Sequence, residues 1–320
     1  MAHKLAVIAV IGLTVSAVTM GAAAAIGGGH FGEEMGDFSL FDSRPRCEAM
    51  PAGATAVSRV LDWDGSDRAG LAINAHAHYV PGSDDKVHAA GDPQILAHLR
   101  VRDGTLEMDC RGWRDRTDTV TVALPGREFR AFAMAGGGNL ALDKLDQSSL
   151  KVEIAGSGAV TANGKVGDFK VEVAGSGKAD LDHITATQAK FEIAGSGAIK
   201  ASGKIDDLKM EIAGSGDADF SQLEVRQGKV EIAGSGNVKA KGTIDDLAIE
   251  IAGSGNADFG QVTARNAKVE IGGHGTVDIA PSEEANVEIS GSGDVNLHSN
   301  PKRLETDIHG SGRIHRLAGG

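Results

Sequence analysis

The sequence predicts an all-β fold, a single-domain right-handed parallel β-helix with about 19–20 residues per coil. Three observations predict it. Gly-Ser-Gly or a close variant recurs ten times between Gly136 and the C-terminus, at intervals of 18 to 20 residues. Apolar and polar side chains alternate around each copy, which is the pattern of a β-strand. Equal positions in successive copies also form columns with matched volumes and charges. A fixed period of this size is typical of a solenoid whose units stack on one another.

Each unit reads apolar-Glu-apolar-Ala-Gly-Ser-Gly and continues with a second alternating run. No unit carries a ten-residue apolar pattern at helical spacing, so helices between the strands are not expected. About 19 residues can form two or three short strands and their corners. Glycines suit corners where the backbone needs a positive φ or approaches another strand closely. Stacked coils should lie about 4.8 Å apart, and the crossover should be right-handed.

The core columns compensate each other in volume. The position two residues after the second glycine alternates between large and small, and the position two further on alternates the opposite way. The pairs are Val160 and Ala162, Ala179 and Leu181, Ile199 and Ala201, Ala218 and Phe220, Val238 and Ala240, and Ala257 and Phe259. Interior packing requires this compensation, so the true repeat is a double coil of 39 residues.

Two charged columns should run side by side along an outer face. The acidic column is Glu153, Glu172, Glu192, Glu211, Glu231, Glu250, Glu270 and Glu288, followed by Asp307. The basic column is Lys151, Lys170, Lys190, Lys209, Lys229 and Lys268, with Ala248 as a gap. We expect exposed, mutually neutralising surface ladders in which each pair is worth well under about 1 kcal/mol. A third column, between the two core columns, alternates Asp180, Lys200, Asp219, Lys239 and Asp258.

The chain divides into three parts. Residues 1–25 read as a signal peptide or an anchor, because a charged start precedes an apolar run and small residues. The uncharged stretch 5–26 could also stay in the membrane as an anchor. Residues 26–56 read as linker or cap. Residues 57–320 should form the β-helix, with irregular first coils over 57–135 and regular Gly-Ser-Gly coils over 136–320. The predicted location is outside the cytoplasm, in the periplasm or cell envelope.

Composition narrows the function classes. The chain has a net charge of −12, 45 glycines and a single tyrosine. Without an unopposed basic stripe, nucleic-acid binding is not expected. The residues call for no cofactor, and membrane contact is expected only through the N-terminal segment.

Residues 91–108, then Leu124-Pro-Gly126, then the Gly-Ser-Gly repeats give a family resemblance. Together they resemble the head GIN domain family, described as auto-transporter adhesin head domains, over about residues 57–320. The resemblance implies a β-helical envelope protein and supplies no catalytic residues. It departs from a true autotransporter because the chain shows no β-barrel translocator segment.

Few side chains stand out as chemical candidates. Cys47 and Cys110 could form one disulfide in an oxidising envelope, or stay as two free thiols. His76 and His78 share a strand face and could begin a zinc or copper site with His88 or His98, although a polar outer face explains them better. Residues 214–219 are similar to calcium-binding repeats but lack nonapeptide spacing. The Gly-Ser-Gly serines have no base beside them. We therefore predict no catalytic and no metal site.

Three functions fit these features. The first is a non-enzymatic envelope rod whose charged ladder binds an envelope protein or a polysaccharide. The second is a polysaccharide lyase or hydrolase, with its site in the irregular stretch 74–116. The third is an envelope filament that self-assembles through its coil ends.

Overall fold

The computed structural model describes Cys47 and residues 57–82, 84–110 and 120–317. The predicted signal or anchor (1–25, with the span 5–26) lies outside the described residues. So does the predicted linker or cap (26–56), except for Cys47. The described chain forms one sheet of 19 strands that coils into a β-solenoid of about nine turns, which confirms the predicted fold class.

The elements fall into three groups. The first group is β1 Val57–Asp62, β2 Arg68–Leu71, β3 Ala75–Tyr79, β4 Lys86–Gly91, α1 Pro93–His98, β5 Leu99–Arg102, β6 Thr105–Met108, β7 Val120–Ala123 and β8 Ala131–Gly136. The long coils are β9 Asn139–Gly156, β10 Ala159–Gly175, β11 Lys178–Gly195, β12 Ala198–Gly214, β13 Asp217–Gly234, β14 Asn237–Gly253, β15 Asn256–Gly273 and β16 Thr276–Gly291. The final group is β17 Asp294–Leu297, β18 Arg303–Gly310 and β19 Arg313–Arg316.

The long coils pair in parallel and in register, so equal repeat positions lie opposite each other. Glu153 lies opposite Glu172, and Glu172 lies opposite Glu192. The same row continues coil by coil to Glu288 and Asp307. Alternate residues of each strand point into a continuous apolar core, where the compensating pairs such as Ala179 and Leu181 are buried. Register and core therefore follow directly from the repeat.

The alternation of 19- and 20-residue coils has a local cause. In three of the 20-residue coils, the extra residue adopts a left-handed backbone: Lys144, His183 and Gln222 have φ between 52° and 56°. The register of the sheet shifts beside each one. At Lys144 and His183, a polar side chain of the next coil caps the bulge. Ser202 Oγ accepts from the backbone N–H of His183 and donates to Asp182. The 39-residue double coil is thus a bulged coil followed by an unbulged one.

The glycine turns hold adjacent coils closer than a side chain would allow. Gly214 has a φ of 122°, and a Cβ there would lie 2.5 Å from the carbonyl oxygen of Gly195 in the preceding coil. Only glycine meets both conditions, since a left-handed backbone disfavours every residue with a Cβ. This explains the invariant first glycine of the repeat.

The irregular strands belong to the same sheet as the regular coils, but their stacking order does not follow the order of the chain. The coil β2–β3 stacks directly on β8 and the first part of β9. Strands β6 and β7, later in the chain, lie on its other side. Three antiparallel pairs, β1–β4, β4–β7 and β5–β6, then finish this end of the stack. Chain order and stacking order differ here because the chain runs outward and returns.

A short helix and a disulfide belong to the same end. Asp92 caps α1 by accepting from the backbone N–H of Gln94, and Ile95 and Leu96 are buried beneath it. The sulfurs of Cys47 and Cys110 are 2.01 Å apart, so a disulfide ties residue 47 to the end of β6.

Candidate binding site

The Lys and Glu columns form a continuous ladder of ion pairs. Each lysine of the ladder lies two residues before a glutamate of its own coil and contacts it. The five lysines from Lys151 to Lys229 also reach the glutamate of the next coil, at 2.9 to 3.4 Å. The Nζ of Lys190, for example, lies 2.7 Å from Glu192 and 3.4 Å from Glu211. The ladder therefore cross-links every coil from β9 to β14.

The carboxylates of this ladder are buried, which corrects the expectation of exposed pairs. The residues Glu153, Glu172, Glu192, Glu211 and Glu231 are only 2 to 5% exposed although they point away from the core. The lysine side chains beside them are about 36 to 42% exposed. Alternation in the sequence predicts on which side of the strand a side chain lies. It does not predict the burial of the glutamates, which arises because the long lysine stems cover them on that side.

Burial and charge act in opposite directions on these carboxyl groups. Burial alone would raise the pKa of Glu192, but Lys190 and Lys170 outweigh it and lower the pKa to about 2. Burial raises the pKa of Glu211, and the neighbouring Glu192 carboxylate adds to this shift. Burial would lower the pKa of Lys229, yet its bonds to Glu231 and Glu250 raise it above the ordinary value. Neighbouring carboxylates one coil apart are thus stable only while lysines separate them.

A long groove runs beside the ladder, parallel to the solenoid axis. It has a volume of about 780 Å³ and crosses the seven coils from β10 to β16. Six coil steps of about 4.8 Å make it roughly 29 Å long. One wall is Asp168, Gln188, Asp207, Gln227, Asp246, Asn266 and Glu284; the floor is Phe169, Ala189, Leu208, Gly228, Leu247 and Ala267; the other wall is Lys170, Lys190, Lys209, Lys229, Ala248, Lys268 and Asn286.

The groove exists because of strand alternation. The wall residues of one coil, such as Gln188 and Lys190, stand on either side of a residue that turns into the core. Two rows of outward side chains then border a strip of backbone about 6.6 Å wide. Polar wall groups and an apolar floor suit an extended ligand that is amphipathic along its length.

The Asp/Lys column lies on a separate face. Its residues stack in register, so Asp219 lies between Lys200 and Lys239 of the adjacent coils. They border a second cleft of about 530 Å³. Nearby, Asn256 donates to Asn237, which donates to Asp217, at 3.0 and 2.9 Å. A lysine on each side of Asp219 opposes a calcium ion there.

Among the described residues, His76, His88 and His98 do not converge on one site. His76 lies 3.1 Å from the Asn139 amide, and His88 lies 2.6 Å from Asp84. His98 contacts Asp109 at 2.7 Å, and Arg100 contacts the other oxygen of that carboxylate at 2.5 Å. The one group of three metal-ligating side chains found among the described residues is His98, Asp109 and Cys110.

That group is occupied by other interactions. The Cys110 sulfur is in the disulfide, and Arg100 already neutralises Asp109. Of the stretch proposed for an enzyme site, residues 74–110 are described apart from residue 83. There the ionic groups pair locally: Arg102 and Glu107, for instance, lie across the hairpin β5–β6 at 3.5 Å.

The fold and groove together define a class: a β-solenoid with a lateral groove fitted for binding. The chain belongs to the family described as "Putative auto-transporter adhesin, head GIN domain", whose profile matches residues 71–240 and 202–301. This membership supports a role in adhesion or binding in general and an adhesin-like, exported protein.

Similar solved structures come from Parabacteroides and Bacteroides species. A protein described as a putative lipid binding protein from Parabacteroides distasonis is 19% identical, with a TM-score of 0.47, over 82% of this chain and 96% of that one. A putative adhesin from Parabacteroides merdae is 14% identical, with a TM-score of 0.43, over 82% and 96%. A putative adhesin from Bacteroides fragilis is 15% identical, with a TM-score of 0.35, over 83% and 98%. No curated protein sequence matches the chain.

One further finding concerns membranes. In the part of the chain that the structure describes, no helix combines the length and the hydropathy needed to cross a bilayer.

Proposed function

We propose that this chain is a non-enzymatic exported protein of the cell envelope, a stiff β-solenoid that holds an extended partner along its lateral groove. The single observation that carries the proposal is the groove itself. It crosses seven coils, and its walls are built from repeat columns. A ligand that lies along it meets the same kind of contact at every coil, which suits a polymer or an extended protein segment.

The ladder supports the proposal through stiffness. Ion pairs that cross every coil boundary from β9 to β14 resist sliding and splaying of the coils. A groove on a rigid scaffold loses little conformational entropy when it binds. Adhesion is consistent with the family description.

The test blocks the groove without touching the core or the ladder. Gln188 and Gln227 line the groove wall and are exposed, so Gln188→Trp with Gln227→Trp should obstruct it in two places. Thr185→Trp is the matched control, since Thr185 is exposed on the same strand outside the groove. The full-length protein would be screened against immobilised envelope polysaccharides and surface proteins.

We expect the double variant to lose about 90% or more of the binding to whichever polymer or protein the wild type retains. The control should bind like the wild type. Binding that survives the double variant would refute the groove as the site. Cell fractionation should find the protein outside the cytoplasm, and a cytoplasmic pool alone would refute the envelope location.

One observation favours filament assembly as a second candidate. At the last coil, Ile308 is 41% exposed, and Leu304 and Ile314 are only partly buried. Within the described residues, β18 and β19 each pair with a strand on one side only. A second copy could cover this end. Analytical ultracentrifugation should then show association that Ile308→Lys abolishes, whereas a monomer at all concentrations would exclude it.

A further inference from the structure

One coil breaks the ladder at a position that lines the groove. Every lysine position from β9 to β15 holds a lysine except in β14, which has Ala248. By register, a lysine there would reach Glu250 of its own coil and Glu270 of the next. Ala248 provides no cation, and this part of the ladder is therefore one ammonium short.

The two carboxylates beside the gap, Glu250 and Glu270, have fewer lysine partners and are more exposed than the four glutamates before them in the column. Among the described residues, Glu250 pairs with Lys229 at 2.9 Å and Glu270 with Lys268 at 2.7 Å, one lysine each. Glu172, Glu192, Glu211 and Glu231 each have two. The side chains of Glu250 and Glu270 are 26% and 38% exposed, whereas those of the doubly paired glutamates are at most 7% exposed.

The groove and its flanking glutamates also carry an excess of negative charge. Over the coils β10 to β16, five ladder lysines face seven column glutamates, three wall aspartates and Glu284. Arg226 pairs with Asp207, and Arg303 lies 3.8 Å from Glu284. Eleven carboxylates against these two guanidinium groups and the five ammonium groups leave a formal charge of −4. This charge repels polyanions and favours a partner that brings cations.

We propose that the gap at Ala248 is a recognition site for a primary ammonium group, and that its occupant is a lysine side chain of a partner protein lying along the groove. This inference rests on the proposed function and names the partner chemistry of the same groove. The chain itself supplies the precedent, because at the five equivalent positions of β9 to β13 one Nζ bridges two glutamates.

Size selects lysine among cations. The gap is one side chain wide, with the next coils about 4.8 Å away on either side. A lysine presents a compact ammonium on a slim four-carbon stem, whereas arginine presents a broad planar fork. An amino sugar carries its amine directly on a ring and lacks such a slim stem.

The probe is fluorescent hexalysine at low ionic strength, compared with hexa-arginine, an amino-sugar oligomer (chitosan hexamer) and Ca²⁺ alone. Ala248→Lys is the central variant, since it places the chain's own ammonium in the gap without disturbing the repeat. Thr243→Lys is the matched control: it adds the same charge to the same coil at an exposed position that does not line the groove.

We expect hexalysine to bind the wild-type protein and Ala248→Lys to weaken it by about tenfold or more. Thr243→Lys should change it by less than about twofold. An equal loss in both variants would overturn the proposal, since only overall charge would then matter. Two results would overturn the assignment of lysine. One is that the chitosan hexamer binds the wild-type protein more tightly than hexalysine does. The other is that Ca²⁺ displaces hexalysine from the wild-type protein but not from Ala248→Lys.

The two proposals fail separately. If Gln188→Trp with Gln227→Trp abolishes capture of a partner but Ala248→Lys leaves it intact, the groove stands and the ammonium site is refuted. If neither variant affects partner capture, the groove itself is refuted. A higher unfolding midpoint for Ala248→Lys would confirm that the new lysine reaches both glutamates and that the variant tests the intended geometry.

Discussion

Lys190→Met should destabilise the solenoid through charge, since methionine keeps much of the lysine stem and removes the ammonium. The Nζ of Lys190 lies 2.7 Å from Glu192 and 3.4 Å from Glu211. Each of these carboxylates is only 2 to 3% exposed as a residue. After the substitution each keeps one lysine, Lys170 or Lys209. Two neighbouring buried carboxylates then face each other with less compensation.

The structure sets the size of the effect. Removal of one partner from a fully buried ion pair costs about 3–5 kcal/mol. The Lys190 side chain is 36% exposed and each carboxylate retains a second lysine, so solvent screening and the remaining pairs reduce the cost to about 2 kcal/mol. Lys268→Met is the matched control. Its ion pair with Glu270 has side chains 60% and 38% exposed, so its loss should cost less than about 0.5 kcal/mol.

The assay must resolve single coils, because solenoids unfold by parts and a single unfolding free energy is not well defined for them. Amide hydrogen exchange read by mass spectrometry meets this need. Lys190→Met should speed exchange in β11 and β12 by about thirtyfold, the equivalent of 2 kcal/mol, and leave β16 unchanged. Glu211→Gln added to Lys190→Met should recover part of the loss, since it removes one of the two facing charges.

Two results would refute this reasoning. The first is exchange in β11 and β12 no faster in Lys190→Met than in Lys268→Met, which would mean that the buried ladder contributes no more than an exposed pair. The second is an effect of the same size at pH 3 as at pH 7. Protonation of Glu211, whose pKa is raised by burial, should relieve the repulsion in acid.

Three further predictions concern acid, the disulfide and the glycine turns. The pKa of Glu192 is about 2, against an ordinary value of 4.5, so its ionised carboxylate stabilises the fold above pH 4.5. The thermal unfolding midpoint should therefore decrease as the pH is lowered from 4.5 to 2, and Glu192→Gln should make this decrease smaller. Reduction of the Cys47–Cys110 disulfide, which closes a 63-residue separation, should lower the stability of the N-terminal end by up to about 4 kcal/mol, measurable as a lower denaturant midpoint with reductant than without. Gly214→Ala should destabilise by about 2 kcal/mol or more because its Cβ would meet a backbone oxygen at 2.5 Å, whereas Gly272→Ala, with 3.7 Å of space, should be neutral in thermal melts.

Much of the fold could be predicted because residues at equal positions of the repeat become spatial neighbours when the coils stack. Equal positions such as Glu172 and Glu192 must stack if the period is structural, and the register shows that they do. The bulges at His183 and Gln222 were not predicted, since a left-handed backbone on a residue with a side chain leaves no sequence signal. The stacking order of β2, β6 and β8 was not predicted either, because those strands do not repeat.

The candidate site was predicted less well than the fold. The lysine and glutamate columns and the gap at Ala248 are visible in the sequence, but the glutamates were expected at the surface. The groove was not predicted, because the rows of residues 168 and 170 look like ordinary exposed positions until the coils are stacked. Whether the two rows border a groove depends on the distance between them in the folded chain, and the alternation of residues alone does not give that distance.

The ladder lysines form one wall of the groove, but their charges are already paired with glutamates, and this changes where specificity for a partner should be sought. Where a lysine ammonium already pairs with two carboxylates, it has little free charge with which to bind a ligand. A ligand that broke these ion pairs would also destabilise the fold. Charges remain available only where the repeat is interrupted, as at Glu250 and Glu270, or on the opposite wall of the groove. In a solenoid, the repeated residues build the scaffold and the exceptions to the repeat are free to recognise a partner. The exception at Ala248 alters one ion-pair position and leaves the backbone register of β14 and β15 intact, which is how a binding determinant can be added without loss of the fold.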